Sequence, residues 1–163
     1  PKQPCERSYI ARLPKASLMI EEFKFYLEKG MVRKGSPNHE SAAALMEKAF
    51  LRRDYVRGQK ITSETAPFIF EDIYEAIREG CQALMELRGF KPYSHEAHIA
   101  FLKEFYQFPQ EILSSFDRLR VLRNKAIYGA NRISKETCSD ALGFAVSVIP
   151  EFKKHFDKES KTN

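Results

Sequence analysis

The stretch Thr65–Gly89, TAPFIFEDIYEAIREGCQALMELRG, decides the fold class of this chain. Within it Ile73, Ile77, Gly80, Leu84 and Leu87 are spaced four, three, four, three, the period of one buried face of an α-helix. Thr65-Ala66-Pro67 opens the helix, with proline in the first turn where its missing N–H is no loss, and Gly89 closes it. Glycine inside a helix costs ~1 kcal/mol against alanine. Gly80 in the buried seam therefore predicts that a neighbouring helix backbone approaches closely there.

The same signals recur on both sides. Downstream, Gly89-Phe90-Lys91-Pro92-Tyr93 reads as a turn, and Ser94 then caps a short helix to about Gln107. Pro109 opens a further helix to Tyr128, stopped by Gly129. Ser134 caps the last one, whose stripe is Ala141, Ala145, Val148, Phe152 and Phe156. Pro150 falls inside that stripe and is expected to kink or divide it. Upstream, Ser36-Pro37 starts a helix with Glu40 in its first turn, continued by Ala42, Leu45, Ala49 and Val56 and stopped by Gly58. Before it, a helical stripe of Met19, Ile20, Phe23, Tyr26 and Leu27 begins near Pro14 and ends between Gly30 and Gly35. Residues 1–14 read as an extended arm, 15–157 as a single helical domain, and 158–163 as a polar tail. No alternating strand pattern, hairpin signal, repeat or low-complexity tract is present. The expected fold is all-α, an antiparallel up-and-down bundle of about six helices.

Composition agrees. The 163 residues are 43% hydrophobic and include 13 Phe, enough for one core. No run approaches the ~20 apolar residues of a membrane span, and residues 1–17 lack the apolar core of a signal peptide. A reducing, cytoplasmic setting is the expectation. Cys5, Cys81 and Cys138 are odd in number and scattered, so they form neither a disulfide framework nor a zinc knuckle. The net charge of +5 permits contact with nucleic acid or an acidic partner without demanding it.

Chemistry concentrates on the helix from Pro109 to Tyr128. At 100° per residue, Ile112, Phe116, Leu119, Ala126 and Ile127 share a broad apolar face with Arg123 in its middle. A guanidinium stays charged at any working pH, so it either pairs inside the fold or marks a cleft or subunit contact. A polar stripe of Asp117, Arg120, Asn124, Tyr128 and Asn131 runs beside it, with Asn124 and Tyr128 one above the other. The alternative is a salt-bridged, amide-satisfied bundle interior.

Two segments carry a family resemblance. Gly80–Leu102, GCQALMELRGFKPYSHEAHIAFL, is similar to the middle helix pair of HEPN domains, joined by a Gly-Tyr/Phe-x-Pro…Ser-His-Glu-Ala turn. Arg118–Gly129, RLRVLRNKAIYG, resembles the helix that carries the family signature. The resemblance covers about residues 65–155 and more faintly the two helices before them. In many such proteins the signature is Arg, often followed by Asn or Asp, and then His four to six residues on. Two subunits bring their copies together and cut RNA without a metal. In that scheme Arg stabilises the phosphorane charge and His moves a ribose hydroxyl proton.

This chain departs from the pattern at the histidine. Arg123 and Asn124 are in place, but Tyr128 stands where His is expected, and no histidine lies between Lys125 and Arg132. Tyrosine, with a reference pKa near 10, is a poor base at neutral pH. The resemblance thus implies a homodimer with a nucleotide- or RNA-binding site at Arg120, Arg123, Asn124 and Tyr128, and no cofactor or metal. It implies binding without the full catalytic machinery. The alternative is a metal-free, toxin-like ribonuclease using Arg123 and Tyr128. Family members of toxin–antitoxin type are often paired with a minimal nucleotidyltransferase that adenylylates a tyrosine near the signature, so such a partner is a further expectation.

Other groupings are less specific. His95 and His98 are three apart, not the four of a zinc-protease helix, and have no obvious third ligand. They read as the start and the edge of a helix. His39 and His155 are isolated and expected to be exposed. Arg53, Arg57 and Lys60, with Arg52 and Tyr55 nearby, make a basic stripe, either a solvated face or a grip for a phosphate backbone.

Overall fold

The computed structural model describes residues 19–127, 129 and 132–161. The N-terminal arm, the start of the first expected helix, Tyr128, Asn131 and the end of the tail lie outside the described residues. The chain is mostly helical. Six helices are described: α1 (Phe23–Glu28), α2 (His39–Arg57), α3 (Ala66–Leu87), α4 (His95–Tyr106), α5 (Gln110–Ile127) and α6 (Lys135–Ser160). Two short strands, β1 (Val32–Lys34) and β2 (Phe90–Pro92), pair antiparallel, with Val32 opposite Pro92 and Lys34 opposite Phe90.

Helix α3 is the axis of the bundle. Its seam residues Ile73, Ile77, Gly80, Leu84 and Leu87 are all buried, and so are Tyr74, Ala76, Cys81, Ala83 and Met85 between them. Helices α2, α4, α5 and α6 all pack on it, which is why its apolar face is broad and its polar residues, from Glu71 and Asp72 to Gln82 and Glu86, are confined to one stripe. Gly80 does mark a close approach, but the neighbours are side chains rather than a backbone. A methyl group built there would lie 2.9 Å from Cδ2 of Phe152 on α6 and 3.7 Å from Cβ of Ala49 on α2.

Several sequence expectations need correction. The first helix is shorter than its stripe: Met19 is exposed, residues 19–22 are not helical, and Phe23 and Tyr26 supply the buried face. Helix α2 is capped by Asn38, not Ser36; the Asn38 Oδ1 accepts the Ser41 N–H at 2.9 Å. The expected turn at Gly89–Tyr93 contains a strand. Three residues are too few to show an alternating pattern, and the pairing is fixed by a contact remote in sequence. Gly89 has φ +76°, and the Gly35 N–H donates to its carbonyl at 2.7 Å. A side chain at Gly89 would meet the Gly35 carbonyl oxygen at 2.3 Å, so only glycine fits.

Helix α6 runs undivided through Pro150 and continues through the start of the polar tail to Ser160. The carbonyl that Pro150 cannot bond is that of Val146, one turn back on a part-exposed side, where water can satisfy it. Its N-cap is the expected one, with Ser134 Oγ accepting the Thr137 N–H at 3.1 Å. No described helix is long and apolar enough to cross a membrane.

Candidate functional site

Arg123 projects from the last turn and a half of α5 toward α3 and the start of α4. Phe116 and Leu119 on the same helix are buried, Ile112 and Ala126 partly so, and Ile127 is 47% exposed. The apolar face thus emerges from the core toward its C-terminal end, and half-buried Arg123 sits where it does so. Its guanidinium lies 5.8 Å from the centre of the Tyr74 ring, a cation–π contact. Among the described residues it makes no hydrogen bond and no ion pair.

That sets Arg123 apart from the arginines around it. Arg120 donates to Asp117 Oδ1 at 2.8 Å and Glu96 Oε1 at 2.6 Å. Arg78 donates to Glu75 Oε2 at 2.8 Å and Gln82 Oε1 at 2.6 Å. The sequence places Arg120 among phosphate-binding residues. The fold instead gives it two carboxylates, and the Asp117 side chain is almost fully buried beneath it. An anion reaching Arg120 has to displace one of them. Burial alone raises the Glu96 carboxyl, but hydrogen bonds from Ser94 Oγ and its own backbone N–H, with the Arg120 charge, bring it below its ordinary value. The pair ties α5 to the first turn of α4. Asn124 is half-buried on the same helix, and its side chain has no hydrogen-bond partner among the described residues. Tyr128 and Asn131 lie outside the described residues.

The first turn of α4 adds two histidines. Ser94 has the extended backbone of an N-cap, but its hydroxyl donates to Glu96 Oε2 at 2.7 Å in place of capping. His95 then meets Tyr74 of α3, with Nδ1 2.5 Å from the phenol oxygen. Burial, and after it the charges of Arg123 and Arg78, hold the His95 imidazole below its ordinary pKa against Glu75 and Glu96. His98, expected at a helix edge, is instead buried at 3% exposure. Its Nδ1 is 3.2 Å from the Ser94 carbonyl oxygen, and its Nε2 is sealed without a partner. Burial pushes its pKa down to about 3.

Sequence reasoning missed Tyr74 and His95 as neighbours of Arg123. The available signal was weak: a tyrosine in the most apolar helix needs a partner for its hydroxyl, and His95 directly follows a capping serine. No grouping of three or more His, Cys, Asp or Glu side chains with metal-binding geometry occurs among the described residues. The basic stripe runs along the end of α2, with Lys60 beyond the helix's last residue, and is partly neutralised. Arg53 and Arg57 share Asp54 at 2.7 and 3.6 Å, and Arg53 also stacks on Phe50. Arg52 turns inward to Glu79 and Asp72. His39 is exposed, but His155 is half-buried against Tyr106 and Phe108, a correction to its expected exposure. Cys81 and Cys138 are buried free thiols whose pKa values burial raises.

Comparison with protein-family models, with curated proteins and with solved structures found no match to this chain.

Proposed function

We infer that this chain is a HEPN-like domain that binds a phosphate of nucleotide or RNA at Arg123, without a complete catalytic machinery of its own. The observation that supports this most is the lone state of Arg123. A half-buried guanidinium stacked on Tyr74, with no carboxylate among the described residues, retains unused donors for an anion. Arg120 and Arg78 are already neutralised and serve to hold the walls. The Ser-His-Glu-Ala turn and the Arg-Asn pair favour the family reading. With it come a homodimer sharing the Arg123 faces and, in a toxin–antitoxin setting, a minimal nucleotidyltransferase as partner.

The test is binding of single-stranded RNA or nucleotide across a salt series. Affinity should fall as salt rises, and Arg123→Ala should lose it while helicity by circular dichroism is kept. Equal binding by wild type and variant would sink the assignment and move the site to the Arg53–Arg57–Lys60 stripe. Light scattering at micromolar concentration should give about twice 18.9 kDa. The alternative, a metal-free ribonuclease using Arg123 and Tyr128, requires robust RNA cleavage in chelator that Tyr128→Phe abolishes.

A further inference from the structure

Tyr74, His95 and Arg123 come from three helices, α3, α4 and α5, and meet at one place. The Tyr74 side chain is fully buried, and burial raises its pKa, so the phenol keeps its hydrogen at any physiological pH. A buried hydroxyl has to donate that hydrogen. The acceptor within reach is His95 Nδ1 at 2.5 Å. The rings are nearly parallel, 8° apart with centres 5.6 Å distant. Because the hydroxyl itself touches the imidazole nitrogen, they meet end to side, which leaves the Tyr74 face to Arg123.

A neutral imidazole that accepts at one nitrogen carries its hydrogen on the other. With Nδ1 occupied by Tyr74, the His95 hydrogen is on Nε2. Among the described residues that nitrogen has no protein partner, and it is not sealed from solvent as His98 Nε2 is. We propose that the place where the first turn of α4 meets the C-terminal half of α5, around Tyr74, is a two-donor phosphate site. The Arg123 guanidinium and the His95 Nε2–H both donate to the phosphate oxygens, and Tyr74 fixes the imidazole as the donor.

This rests on the reading of Arg123 as a phosphate ligand and adds a second ligand and its tautomer. The charges around His95 are consistent with it. Arg123 and Arg78 oppose protonation, Glu75 and Glu96 favour it, and burial with the two cations prevails, leaving a neutral ring at pH 7. A neutral ring in this tautomer has no lone pair facing the phosphate, so it cannot take a proton from a neighbouring hydroxyl. In this geometry His95 holds a phosphate and is not the base for cleavage next to it. The phosphate group is common to a free nucleotide and to an RNA strand.

The test uses the full chain, inorganic phosphate, 5′-AMP and a single-stranded oligoribonucleotide. Long-range ¹H–¹⁵N spectra of the histidine side chains should show His95 with Nδ1 bare and Nε2 protonated, and 5′-AMP should shift the Nε2–H resonance. His95→Ala should weaken phosphate and 5′-AMP binding about tenfold or more, the usual worth of a hydrogen bond to a charged group. His95→Gln, which keeps a side-chain N–H donor, should recover most of that loss. Tighter binding of the oligoribonucleotide than of 5′-AMP supports the site with RNA as its source, and the reverse supports it with nucleotide. Binding lost in Arg123→Ala but unchanged in His95→Ala overturns this inference and leaves the Arg123 site standing. No phosphate binding by the wild type overturns both. A hydrogen found on Nδ1, or RNA cleavage in chelator that His95→Ala abolishes, overturns the donor assignment alone.

Discussion

Acidification from pH 7 to 5 should destabilise this fold through His98. The ring is sealed among α3 and α4 side chains, with Nδ1 against the Ser94 carbonyl and Nε2 without a partner. Burial lowers its pKa from an ordinary 6.5 to about 3. As pH drops below 6.5 the unfolded chain takes up this proton and the folded chain does not, so the unfolded state gains stability. The His98 contribution is thus fully present above pH 6.5, declines with falling pH, and levels off near 3. At pH 5 the loss is about 2 kcal/mol, and at the end of the window about 5 kcal/mol. The assay is urea unfolding at pH 7 and pH 5 for wild type and His98→Gln. Gln cannot titrate, so the variant should start less stable but lose about 2 kcal/mol less between the two pH values. His95 and His155, also held below their ordinary values, remain in both proteins and cancel in the difference. Equal losses in the two proteins would show that His98 is not sealed, and the account of its environment would fail.

Two substitutions probe the packing around α3. Gly80→Ala brings a methyl group to 2.9 Å from the fully buried Phe152 ring; overpacking should outweigh the helix-propensity gain and leave a net loss of about 1 kcal/mol. Adding Phe152→Leu should turn the alanine's effect from unfavourable to favourable in a double-mutant cycle, and additivity of the two changes would argue against the contact. Glu79 is buried between Arg52 and Lys48, so Glu79→Ala should cost about 2–3 kcal/mol in chemical denaturation. The value falls below that of fully enclosed pairs because Arg52 keeps Asp72 at 2.6 Å and some contact with water. A loss under about half a kilocalorie per mole, the range of exposed pairs, would mean that the pair is solvated.

The amino-acid pattern alone establishes the helical class. A helix writes its buried face into its own sequence, and the spacing of Ile73, Ile77, Gly80, Leu84 and Leu87 is enough to see it. Caps are local but degenerate: Ser134 is legible from its neighbours along the chain, whereas Asn38 takes the role expected of Ser36 and Glu96 draws the Ser94 hydroxyl away from capping. Arg123 stands out by the same helical spacing, as one charge on an apolar face. What the sequence does not hold is the partner of each group. The β1–β2 pair depends on Gly35 meeting Gly89, more than fifty residues away along the chain. Arg120 is as available as Arg123 by helical position, and only the fold brings Glu96 over to it from another helix. Tyr74 and His95 gain their meaning where three helices converge on one point, because a hydrogen bond's energy lies in an approach of a few ångströms that sequence separation does not encode.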